Sequence, residues 1–325
     1  MSLKNRVLHF INLSRKHPVV LTYIAMLGAM LFWGFSFIWT KKLLQFYEPF
    51  TILLLRLIIS SLFLLVTGLA LKKLQAIKLK DIRIIALLAF FEPFLYFIGE
   101  AYGLKYVSAT ASSVLIATIP LFSPVAAWFF FKDKLSILNF AGILISIIGI
   151  YLVILNENYE LDASFIGILF MGLAVFSAIG YSVVVMNAAK RYNVFSIIFY
   201  QNLFGILFFL PFFFYFDFEH FIQVEITLEI IKPLMALAIL ASSVAFMLFT
   251  YGIRELGLVK ANSISNIIPV FTAIFSYLVL DEILSGINII GILIVLSGLF
   301  LTQLKRRMHL KNKIIPFIKT NGLKR

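Results

Sequence analysis

The feature that most constrains this chain is a series of long apolar runs recurring from one end to the other. A bilayer core about 30 Å thick needs roughly 20 apolar residues for one helical crossing. Runs of that kind, to within a few residues, cover 19–40, 49–71, 82–103, 108–131, 138–155, 165–187, 194–216, 233–253, 259–280 and 287–304. The connections are short, and none could fold independently. The expected fold is an all-α integral membrane protein with ten transmembrane helices. Composition agrees, since 62% of the 325 residues are hydrophobic, against about 45–50% in ordinary soluble domains. No length remains for a soluble catalytic domain.

Breakers stand where helices should start, notably Pro49 and Pro233. The longest outside loops, 156–164 and 217–231, are both acidic. The basic stretch Lys4–Lys16 followed by Val19–Thr40 resembles a signal peptide. The apolar run is too long for an h-region, and no small-residue cleavage site follows, so it reads as an uncleaved first helix.

Net charge is +13. In a soluble protein that excess would suggest nucleic acid; here it lies in loops and tails, so no nucleic-acid partner is expected. With the N-terminus cytoplasmic, inside segments hold 23 Lys and Arg, outside segments hold 4, and the remaining one is Arg56, within a span. Ten carboxylates fall outside and three inside, with Glu92 and Glu100 left in or at the edge of a span. That bias predicts a multi-pass protein of the cell (inner) membrane with both termini cytoplasmic. The absence of cysteine excludes disulfides, thiolate metal sites and cysteine nucleophiles.

The chain also repeats. Laid on 251–301 without a gap, 102–152 matches at 14 of 51 positions, including Pro120 with Pro269, Gly142 with Gly291 and Gly149 with Gly298. A weaker match joins Phe50-Thr51-Ile52 to Phe195-Ser196-Ile197. The halves, 19–155 and 164–304, lie between an N-terminal tail, 1–18, and a basic C-terminal tail, 305–325, that serves as a topological anchor or lies on anionic lipid. Each half has five spans, an odd number, so the second must enter the membrane inverted. Inverted repeats are a recurring construction of secondary transporters, in which two similar halves give inward-open and outward-open states of similar energy.

Several motifs resemble those of the drug/metabolite transporter superfamily, of the EamA type with ten helices. They are Phe32-Trp33-Gly34-x-Ser36-Phe37 with Lys41, Pro49-x6-Arg56, and Ala101-x-Gly103-Leu104 through Ser108-Ala109 to Ile119-Pro120-Leu121. The second-half counterpart runs from Gly252 through Ala261 to Ile268-Pro269-Val270, then Asp281-Glu282. The resemblance covers about residues 20–304. It implies a solute transporter and leaves the substrate open, because such proteins move amino acids, sugars, nucleotides and other metabolites in either direction. Glu92-Pro93-x2-Tyr96-x3-Glu100 departs from the generic pattern.

That segment carries the strongest candidate residues. An ionised carboxylate facing lipid is costly, so Glu92 must be paired, protonated or turned to a wet cavity, and is a candidate proton carrier. Pro93 frees a backbone carbonyl at the same depth. Arg56 is the expected partner of Glu92. It lies about 10 Å below the outer end of its helix, and Glu92 about 13–14 Å from the outer face. Arg56 also suits a substrate carboxylate, although the resemblance implies a structural arginine there. Tyr96 and Glu100 follow Glu92 at spacings that share one helix face, with Glu100 expected near the outer mouth, either hydrated there or lining the pathway.

Trp33, Tyr96, Tyr181 and Tyr251 are candidates for an aromatic wall, though aromatics in spans are commonly packing or interface anchors. Asn202, with Gln201, and Asn266 are polar groups in apolar runs that bond between helices or to a ligand. Asn187, Asn262 and Asn288 sit nearer helix ends. Gly142-x3-Ser146-x2-Gly149, echoed by Gly291 and Gly298, is a small-residue stripe suited to close packing within the protein or across a homodimer.

No His/Asp/Glu metal spacing, phosphate-binding loop or nucleophile elbow is present, so neither cofactor nor metal is expected, and an enzyme is disfavoured. No continuous polar stripe suits a channel. The expected function is a secondary-active permease working by alternating access, driven by protons or by the solute's own gradient, and the resemblance implies a small amino-acid-like metabolite moved outward. A facilitative uniporter or channel is the competing class.

Overall fold

The computed structural model describes residues 18–122, 136–155, 161, 163–189, 191–256 and 264–302. Both tails, the far part of the fourth expected span and Asn262 lie outside the described residues, as does the Asn187 side chain. Every regular element among the described residues is helical, apart from one isolated antiparallel bridge between Leu155 and Leu161. Six of these helices are long and apolar enough to cross a membrane: α1 (Val20–Leu43), α2 (Pro49–Ala70), α3 (Leu79–Tyr106), α6 (Phe165–Ser182), α7 (Val194–Phe221) and α8 (Leu228–Gly252). Four shorter apolar helices accompany them: α4 (Ala109–Phe122), α5 (Ile137–Val153), α9 (Ile268–Leu280) and α10 (Gly286–Thr302).

Helix starts follow local chemistry. Pro49 occupies the first turn of α2, where its missing N–H is no loss. Ser108 accepts from the Ala111 N–H to cap α4, and Asn193 accepts from the Ser196 N–H to cap α7. Pro233 does not start a helix, because α8 begins at Leu228 and carries the proline inside its first part, Leu228–Ala236. A proline that early forgoes a single backbone bond, to the Glu229 carbonyl. At the other end of the same connection α7 continues to Phe221. Asp217, expected in an acidic loop, is instead buried in a wide turn of α7.

The sequence repeat is also a repeat of contacts. Ser136 and Asn139 form a reciprocal capping box at the start of α5. Ser285 and Asn288, their counterparts 149 residues on, exchange the same bonds before α10, at 3.0 and 3.3 Å. Asn139 Nδ2 then donates to the Thr302 carbonyl at 3.1 Å, and Asn288 Nδ2 to the Val153 carbonyl at 3.0 Å. The donors are repeat mates, and so are the acceptors. Between these ends the two helices run antiparallel and touch through glycine. A Cβ on Gly149 would stand 2.8 Å from the Gly291 carbonyl, and one on Gly142 2.6 Å from the Gly298 carbonyl. The small-residue stripes therefore form a seam between α5 and α10 within one chain. Small residues let helix backbones approach where water supplies no hydrophobic drive.

The remaining helices enclose the interior. α3 packs on α6, α2 on α7, and both α1 and α2 on the middle of α8. Leu53, Leu57, Phe97 and Phe209 fill the space between α2, α3 and α7. Leu43, Ile52, Leu237 and Ala241 do the same between α1, α2 and α8.

Candidate functional site

The site starts with a break in α3. Between Ile82–Ala89 and Tyr96–Tyr106 the chain widens into a π-type turn, Phe90–Leu95, in which Glu92 leaves helical geometry at φ −145° and ψ 117°. Pro93 has no N–H to continue the ladder, and the Glu92–Pro93 peptide is cis. Two glycines make room for the bulge. A Cβ on Gly180 of α6 would stand 2.5 Å from the Phe91 ring, and one on Gly205 of α7 2.5 Å from the Pro93 ring. Glu92 is thereby held among α3, α6 and α7, nine-tenths buried at 9% exposure.

Arg56 of α2 is buried beside this turn at 3% exposure. Its Nη1 lies 3.8 Å from Glu100 Oε2, its Nε donates to Ser242 Oγ at 2.5 Å, and its guanidinium carbon stands 3.9 Å from the Phe97 ring centre. The partner expected from the sequence was Glu92, and the ion pair falls on Glu100 instead. The reason is length. α3 has 28 residues, about 42 Å at 1.5 Å per residue, so depths measured from its two ends do not close on a 30 Å core. Counted from Tyr106, Glu100 lies about 9 Å down, level with Arg56 about 10 Å below Pro49. Glu100 is accordingly buried at 6% exposure, not hydrated at a mouth.

Glu92 remains within electrostatic reach of both Glu100 and Arg56. Tyr96 lies within electrostatic reach of Arg56, Glu92 and Glu100. Tyr181 of α6 faces Glu92 and donates to Gln201 Oε1 of α7 at 3.3 Å. The structure therefore gathers Arg56, Glu92, Tyr96, Glu100 and Tyr181 from three helices, with Gln201 behind them.

One turn along α2 a second polar layer follows. Asn202 Nδ2 donates to Ser60 Oγ at 3.0 Å, and Ser60 Oγ shares a hydrogen with Ser243 Oγ at 2.8 Å. Asn202 thus bonds between helices. Ser242 and Ser243 lie in a second π-type turn, Leu237–Ala245 of α8, and each back-bonds to a carbonyl five residues earlier. The same turn presents the Ala241 carbonyl, which accepts from Trp33 Nε1 at 3.3 Å. Trp33 packs against Phe246 and Phe249, so it ties α1 to α8. Asn266 precedes α9, and its buried Oδ1 has no hydrogen-bond donor among the described residues. Tyr251 is exposed on α8 and stands apart from the cluster.

Sequence reasoning missed several partners. The adjacent serines 242 and 243 were a usable signal in an apolar run, whereas Phe97 among 36 phenylalanines gave none. Asp217 accepts from the Thr51 N–H at 2.8 Å and from its hydroxyl at 3.2 Å. Glu282 accepts from the Ala109 and Thr110 N–H groups at 2.8 and 3.3 Å, capping α4 from the far end of α9. Lys41 donates to the Leu104 and Val107 carbonyls at 2.5 and 2.9 Å, closing the end of α3. Near the start of α3, buried Asp81 accepts from Arg191 and from Tyr192 Oη at 2.7 Å. There a cavity of about 350 Å³ is lined by Lys78, Lys80, Asp81, Arg191 and Tyr192. No group of three or more His, Asp or Glu among the described residues could hold a metal ion.

The model of the EamA-like transporter family matches this chain twice, over residues 20–155 and 165–304. Among curated relatives, the uncharacterized transporter YetK of Bacillus subtilis is 25% identical over 289 residues, covering 88% of this chain and 87% of the relative. YdfC of the same organism, also named an uncharacterized transporter, is 27% identical over 91% of this chain and 94% of its own. A WAT1-related chloroplastic protein of Arabidopsis thaliana is 26% identical over 90% of this chain and 71% of its own. A crystal structure of a protein at 17% identity superposes with a TM-score of 0.64, covering 87% of this chain and 98% of that one. It shows the fold.

Proposed function

This chain belongs to the EamA-like transporter family, and from that premise we propose that it is a secondary-active carrier of a small, amino-acid-like metabolite, exported by alternating access. In this reading ten helices cross the cell membrane as two inverted five-helix repeats, with both termini cytoplasmic. The loop charges support the orientation. The antiparallel α5–α10 seam, whose donors and acceptors exchange under the 149-residue shift, supports the inversion.

The observation that carries the proposal is the buried cluster of Arg56, Glu92 and Glu100 at the wide turns of α3 and α8. Ionisable groups at such depth mark solute or ion pathways, and interrupted helices at transporter midplanes present polar groups to the cargo. Glu92 is the coupling carboxylate in this scheme, able to exchange a proton when the site opens to water.

Counterflow in proteoliposomes tests the carrier. Saturable exchange of labelled solute is expected, and ohmic flux without exchange would identify a channel. A thermal-shift screen of the purified protein against amino acids, nucleosides and sugars supplies the solute. Glu92→Gln is expected to abolish the pH dependence of transport. If that dependence survives, coupling runs elsewhere.

A further inference from the structure

The buried cluster is not electrically balanced. Glu92 and Glu100 are both buried, and Arg56 is the one cation acting on Glu92 among the described residues. The charge of Arg56 is already matched: Nη1 faces Glu100 at 3.8 Å, Nε donates to Ser242, and Phe97 covers the guanidinium plane. The Glu92 carboxylate, nine-tenths buried, receives neither a hydrogen bond nor an ion pair from any described residue. Tyr96 and Tyr181 lie within electrostatic reach of it, and Tyr181 directs its proton to Gln201.

A buried cluster of two carboxylates and one arginine suits a cation when both acids are ionised. Aromatic faces and a desolvated carboxylate both attract an ammonium group. A solute carboxylate would meet two like charges, Glu92 and Glu100, beside one arginine whose charge already faces Glu100. A neutral zwitterion would gain at Glu92 and lose at its own carboxylate. Resting on the carrier reading above, we infer that the transported solute is a cationic amine, a diamine or dibasic amino acid, whose ammonium group pairs with Glu92 while Tyr96 and Tyr181 flank it.

The test is calorimetric titration of the purified full-length protein with 1,4-diaminobutane, L-lysine, L-norleucine and glutarate. Diaminobutane and lysine should bind, norleucine about tenfold or more weakly, and glutarate not at all. Glu92→Gln should remove most of the diamine affinity, and Glu92→Asp should restore part of it. The thermal melting of each variant reports whether it is folded. Equal or tighter binding of norleucine or glutarate would overturn the inference, as would a folded Glu92→Gln protein that keeps its diamine affinity, or a folded wild type that binds neither amine. Counterflow with the bound amine separates the two claims. Amine binding through Glu92 without exchange leaves an amine site at Glu92 and removes the carrier, whereas exchange of norleucine unaffected by Glu92→Gln keeps the carrier and overturns the inference.

Discussion

Two wide turns sit at equivalent places in the two halves. Under the 149-residue shift, Phe90–Leu95 of α3 falls within Leu237–Ala245 of α8, and Glu92 falls on Ala241. Their backbones do the same thing, since each interrupts a long helix with a π-type turn beside Arg56 of α2. Their side chains do not. The α3 turn carries a proline and an unpaired carboxylate. The α8 turn has neither, and it bonds its own freed carbonyls to Ser242, Ser243 and Trp33. The two halves thus share a wide turn, and one of the two turns carries a charge. The half with the self-satisfied turn is the framework, and the half with the unmatched acid is where the solute is expected.

The comparison can be broken most severely at the residue joining both turns. Arg56→Met leaves Glu100 buried without its cation and removes the donor to Ser242. It should cost about 3–5 kcal/mol, read by unfolding in detergent; a loss below 1 kcal/mol would mean that the pair is not desolvated. Placing the acid in the other copy is nearly as severe. Ala241→Glu buries a carboxylate at a fully buried position near Trp33, and about 3 kcal/mol of destabilisation is expected. If the variant is as stable as the parent, the two turns are electrostatically equivalent and the contrast fails. Ser242→Ala removes the acceptor of a charged donor, with a cost of about 1–2 kcal/mol. Its effect should vanish in an Arg56→Met background, which a double-mutant cycle measures. Smallest is the second layer, where coupling between Asn202 and Ser60 should be about 0.6 kcal/mol, as for membrane hydrogen bonds generally.

Much of the architecture was legible from local pattern. The apolar runs, the caps at Ser108, Ser136 and Asn193, and the small-residue stripes are all short-range signals, and the helices form where they point. Glu92 and Arg56 stood out as ionisable groups within spans, Tyr96 and Glu100 by their spacing from Glu92, and Tyr181 as an aromatic, and the fold brings these five near one another. Pro233 misled because proline disrupts a helix interior yet is tolerated in an early turn. Tyr251 misled because aromatic character alone does not say which way a helix face points.

The sequence by itself therefore determined how many apolar segments there are, their repeat, and which residues are too polar to face hydrocarbon. All of these follow from transfer energies and helical rise along one chain. The tertiary structure decided that Arg56 meets Glu100 and not Glu92, that Trp33 and Ser242 meet at the α8 turn, and that the glycine stripes face each other. Those outcomes depend on the wide turns and on the extra length of α3. A π-type turn changes the register of every residue beyond it, and no one-dimensional spacing carries that rotation.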